Sequence, residues 1–536
     1  MEVLCLIALF LPVLTGFIAG CLKQDRLRNG VVLISLLIQV FVAVMLIMHP
    51  VSEFELLRFT DSIALVFGVD VISMIFLLLI SVCVEGIYMY TARGKAMGIY
   101  MSGLSHTKGN YQKELADMYH IYAMDPRYHK KIETDFSDRM KESLDQNGDP
   151  FRFQTGSTKI SDILDLSAQK GEVLKYQIRQ QMQYEAAGDI LKNLTKKIRA
   201  GEDQKNEFSG IKDQIQKEEE EAEETENEKT LTSEPVKKDP RKGFMKLLKE
   251  GSVPLIMGEK KVSDLPINIV YGKKDTTKQS AWNFMNRKDV EKELDEFEKT
   301  ASKDSFASEL PVVLYATKYF HFLTDTTKKD GIKYEIEYLI AGKDSEKENL
   351  GMVFWRMIAL RFVMNAVCVY QDPAKEKEAA LLAASILGVT GFPPAVAVAK
   401  NLLLLALAYG ESVIDVRNLA DGKKIPAVKT SSDWQLSFAG LATLNCKRKP
   451  VKQGMSYEDY LLLLLISQKD KRQKYFRMMD LMEQNIRRKV SDFKLDQCIS
   501  SYKITQNLKL KKLGFGGMIL PFATYTDLKM SRYATY

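Results

Sequence analysis

A chain of 536 residues is long enough for roughly two to four domains, and its 46% hydrophobic content would suit a soluble protein were the apolar residues not crowded at the start. The net charge of +7 comes from 76 basic and 69 acidic residues that are largely interspersed, which describes a well-solvated surface better than a polyanion-binding one; no basic stripe alternates with stacking aromatics, so nucleic acid is not an expected partner. Six cysteines without close spacing and five histidines without a pair one helical turn apart exclude a disulfide framework, a zinc or redox motif and a histidine metal site, leaving open a single bridge among Cys368, Cys446 and Cys498.

Residues 3–21, "VLCLIALFLPVLTGFIAGC", are uncharged and just long enough to cross a hydrocarbon core of ~30 Å. A cleaved signal peptide would want its basic residues first, whereas Lys23, Arg26 and Arg28 follow the run. Residues 30–48 form a second span with one tolerable Gln39, and "LKQDRLRN" makes the two a helical hairpin. The third run is less clean: Ile63 to Val69 is followed by Asp70, then by "VISMIFLLLISVCV" and Glu85. A helix over 69–90 would still span, with Asp70 near one headgroup layer and Glu85 near the other. Tyr88 and Tyr90 then fall at the depth interfacial aromatics prefer, and Arg93 and Lys95 follow in water. Glu85 has two readings, an ion-handling carboxylate or the headgroup-level end of the anchor. The second is preferred, because the nearby Asp70 has the same sign and lies about four turns away.

From Thr91 to about Ala200 the apolar residues recur three and four apart, which predicts a coiled-coil-like helical stalk over 91–215, with Ile178, Met182 and Ala186 as a packing stripe. "QNGDP" marks a loop within it. Residues 216–250, beginning with the glutamate run Lys217 to Lys229, read as a flexible acidic and basic linker rather than a calcium loop. The domain over 251–536 opens with a small strand region at 253–272, returns to helices from Leu310, breaks at Asp372-Pro373, and closes with strands from Cys498 to Tyr536. The apolar stretch over 379–409 reads as a buried helical hairpin in preference to a membrane one, since "GVTGFPP" interrupts it. Ser456 and Asp459 fit a capping box, and "LGFGGM" a turn. The fold class expected is α+β and helix-rich: N-terminal transmembrane helices, a helical stalk, and a C-terminal mixed domain with a small β-sheet.

No phosphate loop, dinucleotide fingerprint, nucleophile elbow or zinc-protease motif occurs. Glu335 and Glu337 in "YEIEYLI" could act together only on a strand; on a helix they diverge, flanking Tyr334 and Tyr338 and meeting solvent or a basic neighbour. No catalytic, cofactor-binding or metal residue is therefore assigned, and no cofactor or small-molecule substrate is expected.

Two resemblances cover different parts of the chain. Through "RNGVVLISLLIQ" and "LVFGVDVISMIFLLLISV", residues 1–80 resemble the opening of the antiporter-like subunits of respiratory complex I and Mrp antiporters, without the helices that carry their translocating Glu and Lys. Through "VCVEGIYMYTARGKAMG", "YQKELADMYHIYAMDP", "YEIEYLIAGKDSEKENL", "YGESVIDVRNL", "WQLSF" and "MSYEDYLLLLL", residues 77–536 resemble an uncharacterised membrane-anchored family found beside Tad-type pilus genes of Gram-positive bacteria, with a TadE/TadG-like start. That second resemblance implies an anchor helix, a body outside the cytoplasm, no enzymatic activity, and the lipid bilayer and envelope or pilus-assembly proteins as partners. The basic first loop argues the other way, for a cytoplasmic body, by the positive-inside rule. A hybrid of two gene pieces meeting near residue 80 would produce the conflict. The leading expectation is a non-enzymatic, multi-pass envelope protein. The alternatives are an accessory subunit of an ion-translocating complex, and an enzyme of unknown type in the C-terminal domain.

Overall fold

The computed structural model describes chiefly residues 25–48, 54–60, 63–67, 71–129, 131–144, 150–168, 171–182, 251–274, 303–327, 330–387, 393–444, 454–468, 470–512 and 525–536, with scattered positions in 7–18 and 207–220. Most of the 216–250 linker, the "LGFGGM" turn, Ala186, Cys446 and most of "QNGDP" lie outside the described residues. The chain falls into two compact units, one of residues 1–112, 123–165 and 497–536, the other of 113–122 and 166–496.

The first unit begins with helix α1 (Asp25–Met48). Within the 3–21 run, residues 10–15 are helical, and Thr15 donates its hydroxyl to Ser35 of α1 at 2.6 Å, so two apolar helices meet at a pair of small polar residues. A hairpin follows, β1 (Phe54–Thr60) against β2 (Ile63–Phe67), so most of the Ile63-to-Val69 run is a strand. Then comes α2 (Val71–Lys108), 38 residues free of proline and continuous through Glu85.

Beyond Tyr88, α2 and α3 (Ile132–Leu144) cover one face of an antiparallel sheet ordered β3 (Phe153–Asp165), β4 (Ile499–Lys511), β5 (Tyr525–Thr535). The predicted closing strands are there, and β4 alternates as a half-buried strand must: Tyr502, Ile504, Leu508 and Leu510 point in, Lys503, Thr505, Lys509 and Lys511 out. Tyr100, Leu104, Phe136 and Met140 from the helices complete this core. Tyr100 meets Phe136 edge-on at 5.4 Å, and Gly103 leaves room for the same ring, since a Cβ there would lie 3.0 Å from it. The stalk over 91–215 is overturned: residues 153–165 are a strand, and Ala96, Tyr100 and Leu104 of α2 and Ile132, Phe136, Met140 and Leu144 of α3 pack against the sheet.

The second unit is helical. It contains the short helix Lys113–Tyr119, α4 (Glu172–Met182), α5 (Lys303–Tyr319), α6 (Glu335–Ala341), α7 (Glu346–Tyr370), α8 (Pro373–Leu387), α9 (Pro393–Ala420), α10 (Tyr457–Ile466) and α11 (Lys471–Arg487). The predicted stripe residues Ile178 and Met182 are buried. The Asp372-Pro373 break is real, with the Asp372 carboxylate accepting the Ala374 amide at 3.1 Å, and Ser456 and Asp459 close a reciprocal capping box. The strand region at 253–272 is also overturned. Residues Ser252–Met257 are a helical turn with Pro254 where its missing N–H costs nothing, and the rest is turn and irregular chain with an isolated bridge at Pro266↔Ser345.

α7 and α9 are long and apolar enough to cross a membrane, yet 78% and 72% of their most apolar windows are buried inside the protein. They pack on each other, and α8 on α9, as the expected buried hairpin would. Cys368 is a free thiol, and both Cys368 and Cys498 are buried.

Candidate functional site

The five predicted boundary residues sit on consecutive turns of α2, where its surroundings change. Before Tyr88, the large apolar residues Leu79, Ile80, Val82 and Ile87 are 50% to 66% exposed. After it, Ala92, Ala96, Tyr100 and Leu104 recur every fourth residue and are buried against the sheet. Tyr88 marks the transition: its hydroxyl donates to the Lys511 carbonyl at 3.1 Å and its ring lies 5.2 Å from that of Phe151. Lys95 Nζ stands 5.9 Å from the same Phe151 ring, so Tyr88 and Lys95 share one aromatic partner. Tyr90, 81% exposed, and Arg93 point away from the sheet, and Glu85 is half-buried.

A different set of charged residues lies inside the second unit. Glu335 and Glu337 are buried, which corrects the expectation that they meet solvent. Although two apart on helix α6, both reach the loop that crosses the start of the helix: Glu335 accepts the His321 amide at 2.8 Å, and Glu337 the Leu323 amide at 3.0 Å. Glu337 also accepts the Tyr457 hydroxyl at 2.8 Å, while its second oxygen is buried without a hydrogen-bond partner. Burial pushes its carboxyl up to about 7 against the pull of those donors.

The pattern recurs. Glu346 of α7 accepts the Leu265 amide at 3.1 Å and the Tyr334 amide at 3.2 Å. Glu411 of α9 accepts the Leu436 amide at 2.8 Å, and Asp480 of α11 accepts the amides of three successive residues, 270 to 272. Each is a helix carboxylate holding a loop whose amides have no ladder to join, and such charge-assisted bonds are among the strongest a buried amide can make. The phrases "YEIEYLIAGKDSEKENL", "YGESVIDVRNL" and "WQLSF" contain these carboxylates or the amides they hold.

Where α7 crosses α9, four buried charges meet. Arg361 Nε donates to Asp415 at 2.9 Å, Lys429 bridges Asp415 at 2.6 Å and Glu411, and Asn365 donates to Asp415 at 3.0 Å. Two positive and two negative groups sum to zero, the condition under which buried ions are tolerable. Burial works against ionising Asp415, but Lys429 and Arg361 outweigh it and hold the carboxyl below its usual range. Trp434 walls the cluster, with Lys429 Nζ 5.8 Å from its ring. Sequence reading missed this set; the available signal was charge inside otherwise apolar helices, Arg361 in "MIALRFVM" and Glu411 with Asp415 in "YGESVIDV".

A family model described as a family of unknown function, DUF5702, matches residues 231–510, just over half of the chain. The chain belongs to the DUF5702 family. The matched span holds all of the loop-holding carboxylates and the charge quartet, whereas α2, β3 and β5 lie outside it. No curated protein and no solved structure matches the chain.

Proposed function

We propose that this DUF5702 protein is a non-enzymatic, membrane-anchored envelope protein that holds a helix-rich body at the bilayer surface and acts through protein contacts, in surface or Tad-type pilus assembly. The observation that carries the anchor is the change along α2 at Tyr88, from an apolar helix exposed at Leu79, Ile80, Val82 and Ile87 to one buried on a single face. Exposed apolar surface of that extent on α2, repeated at Leu33, Leu37 and Phe41 of α1, is what lipid would cover. A structural rather than catalytic body is supported by how its interior charges are used, as acceptors for loop amides and as a neutral quartet. The pilus connection rests on the resemblance of residues 77–536, and a body outside the cytoplasm on the anchor parity it implies.

The test is a single cysteine at the exposed Lys423, on a background lacking the native thiols, labelled with a membrane-impermeant maleimide on intact cells. Labelling without opening the membrane is expected. Labelling only after the membrane is opened places the body inside and supports the ion-translocating alternative instead.

A further inference from the structure

Three hydrogen bonds fix the direction of β4 along α2. Tyr502 donates to Thr107 at 2.8 Å, Tyr100 donates to the Ile504 carbonyl at 2.7 Å, and Tyr88 donates to the Lys511 carbonyl at 3.1 Å. As the strand number rises from 502 to 511 the helix number falls from 107 to 88. The lengths agree, about 31 Å of strand against about 28 Å of helix at the usual rises. The strand therefore runs antiparallel to α2, and its last residues lie beside the turn at which the helix becomes apolar and exposed.

That end of the sheet is basic. Lys509 and Lys511 alternate on the outward face of β4 and both are exposed; Lys512 follows, half-exposed. Arg152, whose carbonyl accepts the Lys511 amide at 2.9 Å, is exposed at the head of β3, and Arg93 is exposed on α2. The acidic groups on these elements are fewer: Asp527 opposes Lys509 across the ladder, and Glu85 lies on α2 before Tyr88. Farther from the exposed apolar stretch the same outward face differs, since Lys503 sits 3.5 Å from Asp162 amid Ser501 and Thr505.

We infer that the end of the sheet formed by Arg152, Lys509, Lys511 and Lys512 docks on anionic phospholipid headgroups of the leaflet from which α2 emerges. The inference rests on the proposed anchor, and adds to it a second attachment that fixes how the sheet stands on the bilayer. The chemistry is that of ammonium and guanidinium groups against lipid phosphates, in which each basic residue near an anionic surface is worth about fivefold in association and loses that effect within a Debye length.

The test places the full chain in nanodiscs of phosphatidylcholine alone and of phosphatidylcholine with phosphatidylglycerol, then footprints lysines with an amine-acetylating reagent read by mass spectrometry. Acetylation of Lys509, Lys511 and Lys512 should fall at least about fivefold in the anionic discs and recover in high salt, with Lys423 unchanged. A variant carrying Arg152→Glu and Lys509→Glu, with an unchanged melting temperature, should lose the difference at Lys511 and Lys512. Equal acetylation in both discs would overturn the docking and leave the anchor standing; protection by inorganic phosphate alone, without lipid dependence, would overturn it in favour of a small-anion site. Failure to enter discs of either composition would overturn anchor and docking together.

Discussion

Tyr338 on α6 donates its hydroxyl to Asp480 on α11 at 2.7 Å, and the same carboxylate receives the amides of Val270, Tyr271 and Gly272 at 2.8, 2.7 and 3.0 Å. One side chain thus satisfies four donors. Replacing it, Asp480→Ala, strands three amides and a hydroxyl at once, and at about 1–3 kcal/mol for each buried unsatisfied group, summed with some relaxation, should cost at least about 3 kcal/mol. Hydrogen exchange should rise at residues 268–274 above any global change. Tyr338→Phe, which removes one donor and leaves the amides held, should cost about 1 kcal/mol.

The quartet makes a sharper prediction about order of substitution. Lys429→Met leaves Glu411 and Asp415 as buried like charges with Arg361 alone to balance them, and should destabilise by about 3–5 kcal/mol. Adding Glu411→Gln restores neutrality and should recover part of the loss, so the two changes together cost less than their sum. Thermal melts of the two single variants and the double variant check this, and strict additivity would contradict a coupled cluster.

Glu337 gives the pH dependence a sign. Its carboxyl is raised from 4.5 in an unfolded chain to about 7 in the fold, so between those values the folded state holds the extra proton. The stabilisation is fully present below 4.5 and is lost as pH rises through about 7, in total on the order of 3 kcal/mol. Glu337→Gln mimics the protonated form and keeps an oxygen for the Leu323 amide, so it should flatten this decline. Melting temperatures followed across the interval would show it, and parallel curves for both proteins would contradict it.

The anchor is tested by charge. Leu79→Lys with Val82→Lys places two ammonium groups where lipid is proposed, at about 2.5–3.5 kcal/mol each for the centre of a spanning helix. Alkaline extraction should then release much more protein from membranes. Were those exposed positions in water, the pair would leave extraction unchanged.

Much of this fold is legible because it is local. The helical period across α7 and α9, the proline stop at Pro373, the Ser456–Asp459 box and the two-residue alternation of β4 depend on near neighbours, and each is found. β3 is different: "FQTGSTKISDILD" faces water on much of its length, and its pairing partner lies more than three hundred residues away, as with Gln154 and Lys509. Residues 253–272 misled in the opposite sense, since their Val and Ile between Pro and Gly look like strand, but the amides of Leu265 and of residues 270–272 are held by Glu346 and Asp480 rather than by a ladder. Buried carboxylates are hardest to read. Glu335 is indistinguishable in sequence from a solvated residue until Asn485 and the His321 amide arrive from elsewhere in the fold.

The pairing of Asp165 with Ile499 has a consequence for the order in which the protein is made. Helix α2 and β3 leave the ribosome early, but β3 has no ladder until the chain has extended past residue 511, and β5 is later still. Loop closure over such a separation is slow compared with forming a helix. The helical unit, residues 113–122 and 166–496, is made before β4 and therefore has time to fold before the sheet closes. A chain truncated before residue 499 would be expected to keep α2 yet leave β3 an open edge, the form most prone to pair with a neighbour instead of with itself.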